Sequence, residues 1–462
     1  MEYNIQKIEH IAPKITWNRF DLAFKIAYLE ELDKGVYDGF GNECYSKHID
    51  AFSLGDFTEP GTPEKNSLQK YLDTFEKLNS DIKTKGFDIG KGKIPLATDG
   101  SILNGAHRTS IGLHHNLLLP VNYTDIEPQK FDYKYFKSRG LNEEQLDFAA
   151  LKYIENSNEI YLAIIWPRAN CEFEEIEHFF SKVIYSKRVS LNYNGAHNLL
   201  AEAYEGEAWL GNKNENYPGI RNKLIECFPN FKPVSICLFH EKNIEQALLV
   251  KDKIRKKFNV GKHAIHITDN DHESYSIAKL LFNYNSIHYL NNAKPNLFKS
   301  SIFDKYVCNL ADCRDHLLPI LGPNVTLSLY GFHNSERVDI ISDLDNKVLK
   351  NYTVTDEQPQ HTFNSFPPRY YFYHKGVKCL ALQEVIKDYG RISNVSSFKQ
   401  HYIKLNMLYK FSVNKMSNIL FCNINYLKLK FKIKFREKLG LFLRKLGISE
   451  FLKKVILYFR GS

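Results

Sequence analysis

The stretch KIPLATDGSILNGAHRTSIGLHH, residues 93–115, organises the first part of the chain. Its pattern predicts a short strand, a turn at Asp99-Gly100, a second short strand and a helix that begins near Ala106. The N-terminus of a helix presents unpaired N–H groups and a partial positive charge, and Gly105 lets an anion approach the backbone. His107 and Arg108 add donors there, which predicts a phosphate-binding element. The same residues also fit a surface turn and a helix whose polar side chains face water.

Composition narrows the class of protein. The chain has 462 residues, of which 43% are hydrophobic and 14% aromatic, which is typical of a folded protein of two or three domains. Its eight cysteines form no CxxC pair, so we expect neither a zinc site built on cysteine nor a disulfide framework. We find no secretory signal and no run of 18 apolar residues, and we therefore expect a cytoplasmic protein.

The net charge of +9 is concentrated at the C-terminal end. Residues 401–462 contain 14 Lys or Arg and two acids, a net charge of +12, which leaves −3 for the first 400 residues. Basic and apolar residues alternate there and then follow a helical spacing, which is typical of a helix lying on an anionic membrane surface. Packing against the protein itself and binding of nucleic acid are the alternatives.

Helices and strands are also predicted from local patterns. Apolar spacing predicts helices over residues 20–36 and 68–87, the second capped by Asn66-Ser67 and ended by Gly86. Residues 159–169 read as a central strand. Strands and helices then alternate over residues 233–285, which predicts partly parallel strands.

Further along, residues 324–332 and 337–342 are predicted as adjacent strands, and residues 370–390 as a strand or turn that leads into a helix. The overall prediction is an α/β protein. It comprises a mixed α+β domain over residues 1–150, an α/β domain over residues 151–400 and a helical basic tail over residues 401–462.

The stretch IPLATDGSILNGAHRTS, residues 94–110, resembles the ParB and sulfiredoxin superfamily. In that superfamily a strand and turn lead into a G-x-H-R or G-x-R-R element that grips phosphates at the start of a helix. Gly105, His107 and Arg108 match the element, and Asp99-Gly100 stands where several members carry an acidic-Gly pair. Ala106 replaces the cysteine of the sulfiredoxin branch, and residues 120–400 lack the helix-turn-helix pattern of the segregation branch.

The resemblance therefore favours the branch of kinases that phosphorylate a small hydroxylated acceptor. It implies ATP or another nucleotide and Mg²⁺ as cofactors, with Gly105, His107 and Arg108 holding phosphates and Asp99 assisting. A kinase also needs a carboxylate to orient the acceptor hydroxyl, and Glu43 and Glu59 are the candidates in the preceding segment. Both also fit solvated loop residues.

Two Asp-x-Asp pairs give the alternative functions. Asp343 and Asp345 follow a Gly turn, as in nucleotidyltransferases, although Phe332 replaces the Ser or Gly of that pattern. Asp269 and Asp271 follow an apolar strand, as in metal-dependent glycosyltransferases, but Asp-Asn-Asp is also ordinary turn chemistry.

The predicted helix that contains Arg108 ends with two histidines, His114 and His115. We expect one of them to be packed and the other to be exposed. We expect no cluster of metal ligands near them.

The combined prediction is a nucleotide-dependent phosphotransferase, held peripherally at the inner face of a membrane through its tail. This combination fits assembly of a phosphate-containing surface polysaccharide. A metal-dependent glycosyltransferase or nucleotidyltransferase is the first alternative. A non-catalytic, ParB-like DNA-binding protein is the second, and strong DNA affinity that falls with salt would support it.

Overall fold

The structure is a computed structural model of the 462-residue chain. The residues that it describes are 9–58, 66–295, 303–304, 307–308, 314–315, 318–332, 338–341, 367–392 and 415–445.

The N-terminal part combines four helices with a small three-stranded sheet. Its strands are β1 (Glu9–Ile11), β2 (Ile94–Leu96) and β3 (Leu119–Tyr123), in the order β1-β3-β2, with β1 antiparallel and β2 parallel to β3. Its helices are α1 (Asp21–Leu32), α2 (Phe40–Ser53), α3 (Leu68–Lys85) and α4 (Ala106–His115).

Local signals predicted this part well. The hydroxyl of Ser67 caps α3 by accepting a hydrogen bond from the backbone N–H of Lys70, and α3 ends at Gly86, both as predicted. Helix α4 begins at Ala106, also as predicted. The second short strand of the hairpin is reduced to a single bridge between Leu96 and Ile102.

A four-stranded sheet forms the middle of the chain. Its strands are β4 (Ile160–Ile165), β5 (Val183–Val189), β6 (Val234–His240) and β7 (Ile265–Ile267), in the order β5-β6-β4-β7. The helices around it are α5 (Tyr133–Ser138), α6 (Glu143–Glu155), α7 (Tyr193–Ala203), α8 (Ile220–Cys227), α9 (Ile244–Phe258), α10 (Asp271–Leu281) and α11 (Tyr284–Asn292).

The predicted partly parallel strands are present in this sheet, but they do not pair with each other. Strand β4 is central and fully buried, as predicted, but each hydrogen-bonded pair of the sheet is antiparallel. Strands β6 and β7, which α9 connects, do run in the same direction. They are not neighbours, because β4 lies between them and pairs with both.

A second four-stranded sheet lies towards the C-terminal end, in the order β10-β11-β8-β9. Its strands are β8 (Ile320–Leu321), β9 (Ile340–Ile341), β10 (Tyr371–His374) and β11 (Val377–Leu380), and its helices are α12 (Pro323–Leu329) and α13 (Leu382–Ile392). The hairpin β10-β11 followed by α13 confirms the prediction for residues 370–390.

The strand predicted over residues 324–332 is wrong, because most of this segment belongs to α12. Pro323 starts that helix at a position where a missing N–H costs nothing. The alternation of apolar and polar residues does not reflect a buried and an exposed face of a strand, because Thr326 and Ser328 are also buried. The hydroxyl of Thr326 donates to the backbone carbonyl of Leu380 at 2.7 Å, so a contact distant in sequence satisfies the polar side chain.

The basic tail contains one long helix, α14 (Lys415–Lys445), which confirms its predicted helical character. Near its start α14 packs against α7 and α8, and the ring of Tyr426 lies edge-on to that of Phe231 at 5.2 Å. Within the part of the chain that the structure describes, no helix combines the length and the apolar character needed to cross a bilayer.

The hydrophobic core is continuous across residue 150, where we predicted a boundary between domains. Helix α6 crosses that position, and one buried cluster includes residues from Ile15 to Tyr426. A buried ionic network also links the two parts: Lys152 Nζ lies 2.6 Å from Glu30 Oε2 and 2.9 Å from Glu155 Oε2. The backbone N–H of Asp315 donates to Glu155, and Lys378 Nζ lies 2.9 Å from the Asp315 carboxylate. The mutual pairing offsets the cost of burying these charges.

Candidate phosphate site

A cavity of about 580 Å³ lies at the N-terminus of α4, between α1, α2, α3 and the loops around them. Four of its lining side chains are cationic, two are histidines and one is a carboxylate. They are Arg19, Lys25, Lys91, Arg108, His48, His107 and Asp21. The three predicted phosphate-binding residues, Gly105, His107 and Arg108, all line this cavity. Its excess of cationic groups makes it suited to an anion.

The N-terminus of α4 opens towards the cavity through Gly105. This residue is in the left-handed region, with φ +84°, a conformation that favours glycine, and no side chain caps the helix. The first N–H groups of a helix have no partner within it, so an anion at this place would satisfy them. The local sequence thus produces the predicted helix start, with Gly105 just before it and at the cavity.

Arg108 and His107 flank this helix end and are fixed by different contacts. Arg108 Nη1 donates to the carbonyl of Gly92 at 2.6 Å, and partial burial lowers the pKa of its guanidinium. The ring of His107 stands edge-on to that of Phe75, with 4.5 Å between the ring centres, and its Nε2 lies 2.8 Å from the Tyr45 hydroxyl. Both side chains are held in place at the rim of the cavity.

The floor of the cavity is a buried chain of charged side chains from α1 and its preceding turn. Arg19 donates twice to the Asp21 carboxylate, at 2.8 Å each, and once to the carbonyl of Ile102 at 2.6 Å. Lys25 Nζ donates to Asp21 Oδ2 at 3.0 Å and lies 3.0 Å from Nε2 of His48. This chain fixes Lys25 and connects it to the segment that leads into α4.

Burial and pairing set the protonation states of these groups. Burial alone would raise the pKa of Asp21, but the adjacent Arg19 and Lys25 hold it well below its ordinary value. Burial lowers the pKa of His48 well below 6.5, and Lys25 adds to this effect. A neutral His48 that donates from Nδ1 to the carbonyl of Tyr45 leaves Nε2 to accept from Lys25. Both Asp21 and His48 therefore act here as partners of Lys25.

The other predicted residues of this site lie elsewhere. Asp99 does not line the cavity; its carboxylate accepts from the N–H of Ser101 at 2.9 Å and from its hydroxyl at 2.6 Å. Ser101 in turn accepts from Asn18, so Asp99 supports the segment beside Arg19. Glu43 is exposed on α2, outside the lining, with Arg369 Nη2 at 3.9 Å. Glu59 lies outside the described residues.

Of the acidic residues of the alternative functions, Asp269 and Asp271 do not line the cavity. Both oxygens of Asp271 accept backbone hydrogen bonds, from Glu159 at 3.1 Å and from Ile160 at 2.7 Å, where β4 begins. Asp269 is exposed, and its own N–H donates to Glu273. Both oxygens of the Asp271 carboxylate are thus engaged in hydrogen bonds with the backbone. Asp343 and Asp345 lie outside the described residues.

Sequence reasoning missed Arg19, Asp21, Lys25 and His48. One signal was present: Lys25 interrupts the apolar run DLAFKIAYL, and Asp21 precedes it by four residues, the spacing of an ion pair on one helix face. A lysine inside a buried helix face requires a partner. The sequence offers no signal that joins this pair to Arg108, because their proximity depends on how α1 and α4 pack.

Comparisons of the chain with models of protein families, with curated proteins and with solved structures give no match.

Proposed function

We propose that the cavity at the N-terminus of α4 holds the phosphates of a nucleotide, and that the chain transfers a phosphoryl group from it to a small hydroxylated acceptor. The observation that carries the proposal is the convergence of Arg19, Lys25, Lys91 and Arg108 on a cavity where the described lining residues include one carboxylate. A cavity of about 580 Å³ falls in the range for small-molecule ligands.

The charge of the cavity supports a phosphate rather than a neutral ligand. Arg19 and Asp21 neutralise each other through two parallel hydrogen bonds, which leaves Lys25, Lys91 and Arg108 as the excess cations. Polyanionic phosphate would offset this excess and would accept from the backbone at the start of α4. Hydrogen bonds to charged groups each contribute about 1.5–3 kcal/mol.

The lining supports phosphate binding more directly than it supports transfer. Among the described lining residues the one carboxylate, Asp21, is kept ionised by Arg19 and Lys25 and is therefore a weak base. For the same reason the lining does not fit a protein-held Mg²⁺, and the Mg²⁺ expected for this chemistry would have to be carried by the nucleotide. Glu59 belongs to the connection between α2 and α3, which both contribute to the lining, and it remains the carboxylate proposed to orient the acceptor.

Calorimetric titration of ATP, ADP and CTP, with Mg²⁺, into the wild type and Arg108→Ala tests the binding step. We expect the variant to lose at least about 10-fold in affinity, since a charge-assisted hydrogen bond is removed. Arg221→Ala is the matched control, because Arg221 is an exposed arginine that lines a different cavity, and it should bind as the wild type does. Equal binding by wild type and Arg108→Ala would contradict the proposal. Transfer is read in the same samples by phosphorus NMR with L-serine as the hydroxyl probe, where Glu59→Gln should keep the affinity and lose turnover.

We also propose that α14 attaches the protein to an anionic membrane surface. Ile424, Leu427, Phe431, Phe435, Leu439 and Phe442 are exposed at intervals of three or four residues, and lysines and arginines occupy positions between them. Such a stripe beside basic residues suits a helix that lies in the plane of a membrane. Vesicles of phosphatidylcholine with phosphatidylglycerol should sediment the wild type but not the double variant Phe431→Ser, Phe435→Ser, whereas Lys434→Gln should still bind. Unchanged sedimentation of the double variant would contradict the attachment.

A further inference from the structure

The C-terminal end of α4 brings together three metal-ligating side chains that the sequence separates. Asp33, at the end of α1, meets His114 and His115, and one ligand atom from each lies within 4.8 Å of the others. The expectation that the two histidines have no acidic partner nearby is thus wrong. The partner was missed because it stands 81 residues earlier in the chain.

The contacts within this cluster are short and directed. Nε2 of His114 lies 2.7 Å from Asp33 Oδ2, and Nε2 of His115 lies 2.8 Å from Oδ1 of Asn79 on α3. The two imidazole rings are 4.6 Å apart, centre to centre. Lys83 Nζ lies 3.1 Å from Oδ1 of Asp33, the carboxylate oxygen that does not face His114. The cluster thus joins α1, α3 and α4.

Burial provides a second, independent observation. The side chain of His114 is only 6% exposed, and its Nδ1 is buried with no hydrogen-bond partner in the part of the chain that the structure describes. Leaving a buried polar atom unsatisfied costs about 1–3 kcal/mol. An ion bound at Nε2 would not pair this Nδ1 atom, so what burial contributes is an imidazole that is already held beside Asp33.

We propose that Asp33, His114 and His115 bind one divalent transition-metal ion, with Zn²⁺ as the ion that fits best and Asn79 Oδ1 or water as the fourth ligand. Two imidazoles and a carboxylate suit Zn²⁺, and Mg²⁺ prefers oxygen ligands throughout. Ligand bonds of about 2.0–2.2 Å in a tetrahedral site place donor atoms roughly 3.3 Å apart. The His114 and Asp33 atoms need only separate slightly from 2.7 Å to admit the ion.

The position of the site implies a structural role. Helix α4 has ten residues and is about 15 Å long, so the ion would be remote from a phosphate at the other end of the helix. It would clamp α3 and α4 onto α1, and each of these helices contributes to the cavity lining. Lys83 is the competing cation, and its exposed side chain is free to turn into solvent when the ion binds. This inference does not depend on the proposed phosphotransfer.

The test uses full-length protein freed of metal with a chelator and titrated with ZnCl₂ against a chromophoric competitor. We expect the wild type to bind one Zn²⁺ that is weakened at least 10-fold by His114→Gln and by Asp33→Asn. His178→Gln, at an exposed histidine outside the cluster, should bind as the wild type does. Should other residues bind a second ion, the two cluster variants should lose exactly one equivalent relative to the control.

Thermal melts separate loss of the metal site from loss of the fold. In excess chelator, the wild type and His114→Gln should melt at similar temperatures, and only the wild type should gain stability when Zn²⁺ is added. If His114→Gln fails to fold, His115→Asn serves as the second variant in both measurements. Wild-type protein that binds no Zn²⁺ stoichiometrically, or cluster variants that bind and respond to it as the wild type does, would overturn the proposal.

Discussion

The tetrapeptide Asn-Gly-Ala-His occurs twice, at residues 104–107 and 194–197, and the two copies have different roles. In the first copy Gly105 is the residue just before α4, and the helix end opens into the cationic cavity. In the second copy Asn192 caps α7, so Gly195 already lies inside the helix. A shift of the helix start by a few residues therefore places the same tetrapeptide either at a helix end beside a cavity or inside a packed helix.

The second copy is buried against α11 through its polar side chains. Nδ2 of Asn194 donates to the carbonyls of Leu290 and Ala293, and Nδ2 of Asn198 donates to Leu290 at 2.8 Å. These hydrogen bonds satisfy carbonyls at the end of α11 that have no partner within that helix. Asn198 occupies the position that Arg108 holds in the first copy. The two copies therefore differ in the residue that follows the tetrapeptide and in the residue that caps the helix.

The largest effect is expected for Asn198→Arg, which gives residues 194–198 the same sequence as residues 104–108. Asn198 is 4% exposed, and the cavity beside it is lined by two cations, Arg221 and Lys294, and by no carboxylate among the described residues. The new guanidinium would be buried without an ionic partner, and the carbonyls of α11 would lose a donor. We expect a loss of about 3 kcal/mol in the free energy of unfolding, measured by urea denaturation, and no gain in phosphate binding. A stable variant that binds phosphate would show that the tetrapeptide plus arginine suffices.

Substitution of the glycine in each copy should have a different effect. A Cβ at position 195 would stand 2.1 Å from Oδ1 of Asn291, so Gly195→Ala should cost about 1–3 kcal/mol by overpacking. Gly105→Ala should cost about 1 kcal/mol because of its positive φ. It should also lower phosphate affinity, since the added Cβ would lie 3.2 Å from Nη2 of Arg108. Urea denaturation and calorimetry check both variants. Equal losses in the free energy of unfolding, or a loss of phosphate affinity in Gly195→Ala, would contradict the different roles of the two glycines.

The smallest effect concerns the pH dependence of the second copy. Burial lowers the pKa of His197 below 6.5, although hydrogen bonds with Asn216 and Asn198 oppose the shift. The unfolded chain therefore takes up a proton more readily, so the contribution of His197 is present above pH 6.5 and is lost as the pH falls below it. His197→Gln should reduce the slope of stability against pH below 6.5, by at most about 1.4 kcal/mol per pH unit. Urea denaturation at several pH values between 5 and 8 measures it, and identical slopes would contradict the prediction.

Local signals predicted several helices and their ends, including α3 and the start of α4, since a cap or a glycine acts within a few residues. The caps at Ser67 and Gly86 and the start of α4 are examples. The sheets were predicted less well, because strand pairing depends on contacts distant in sequence. Strand β4 inserts between β6 and β7 and removes the expected parallel pair. Segment 324–332 forms a helix although its alternation resembles a strand, because polar and apolar residues alike are buried there.

The sequence by itself determined the α/β class, the helix start at Ala106 and the three residues Gly105, His107 and Arg108 at the rim of the cavity. These features follow from short-range physics: apolar period, turn chemistry and the polarity of a helix end. The tertiary structure was needed to show that Lys25 and Arg108 line the same cavity and that Asp33 contacts His114. Those contacts depend on the packing of α1 against α4. The sequence shows that Lys25 needs a partner, but it does not show which distant residues lie beside it.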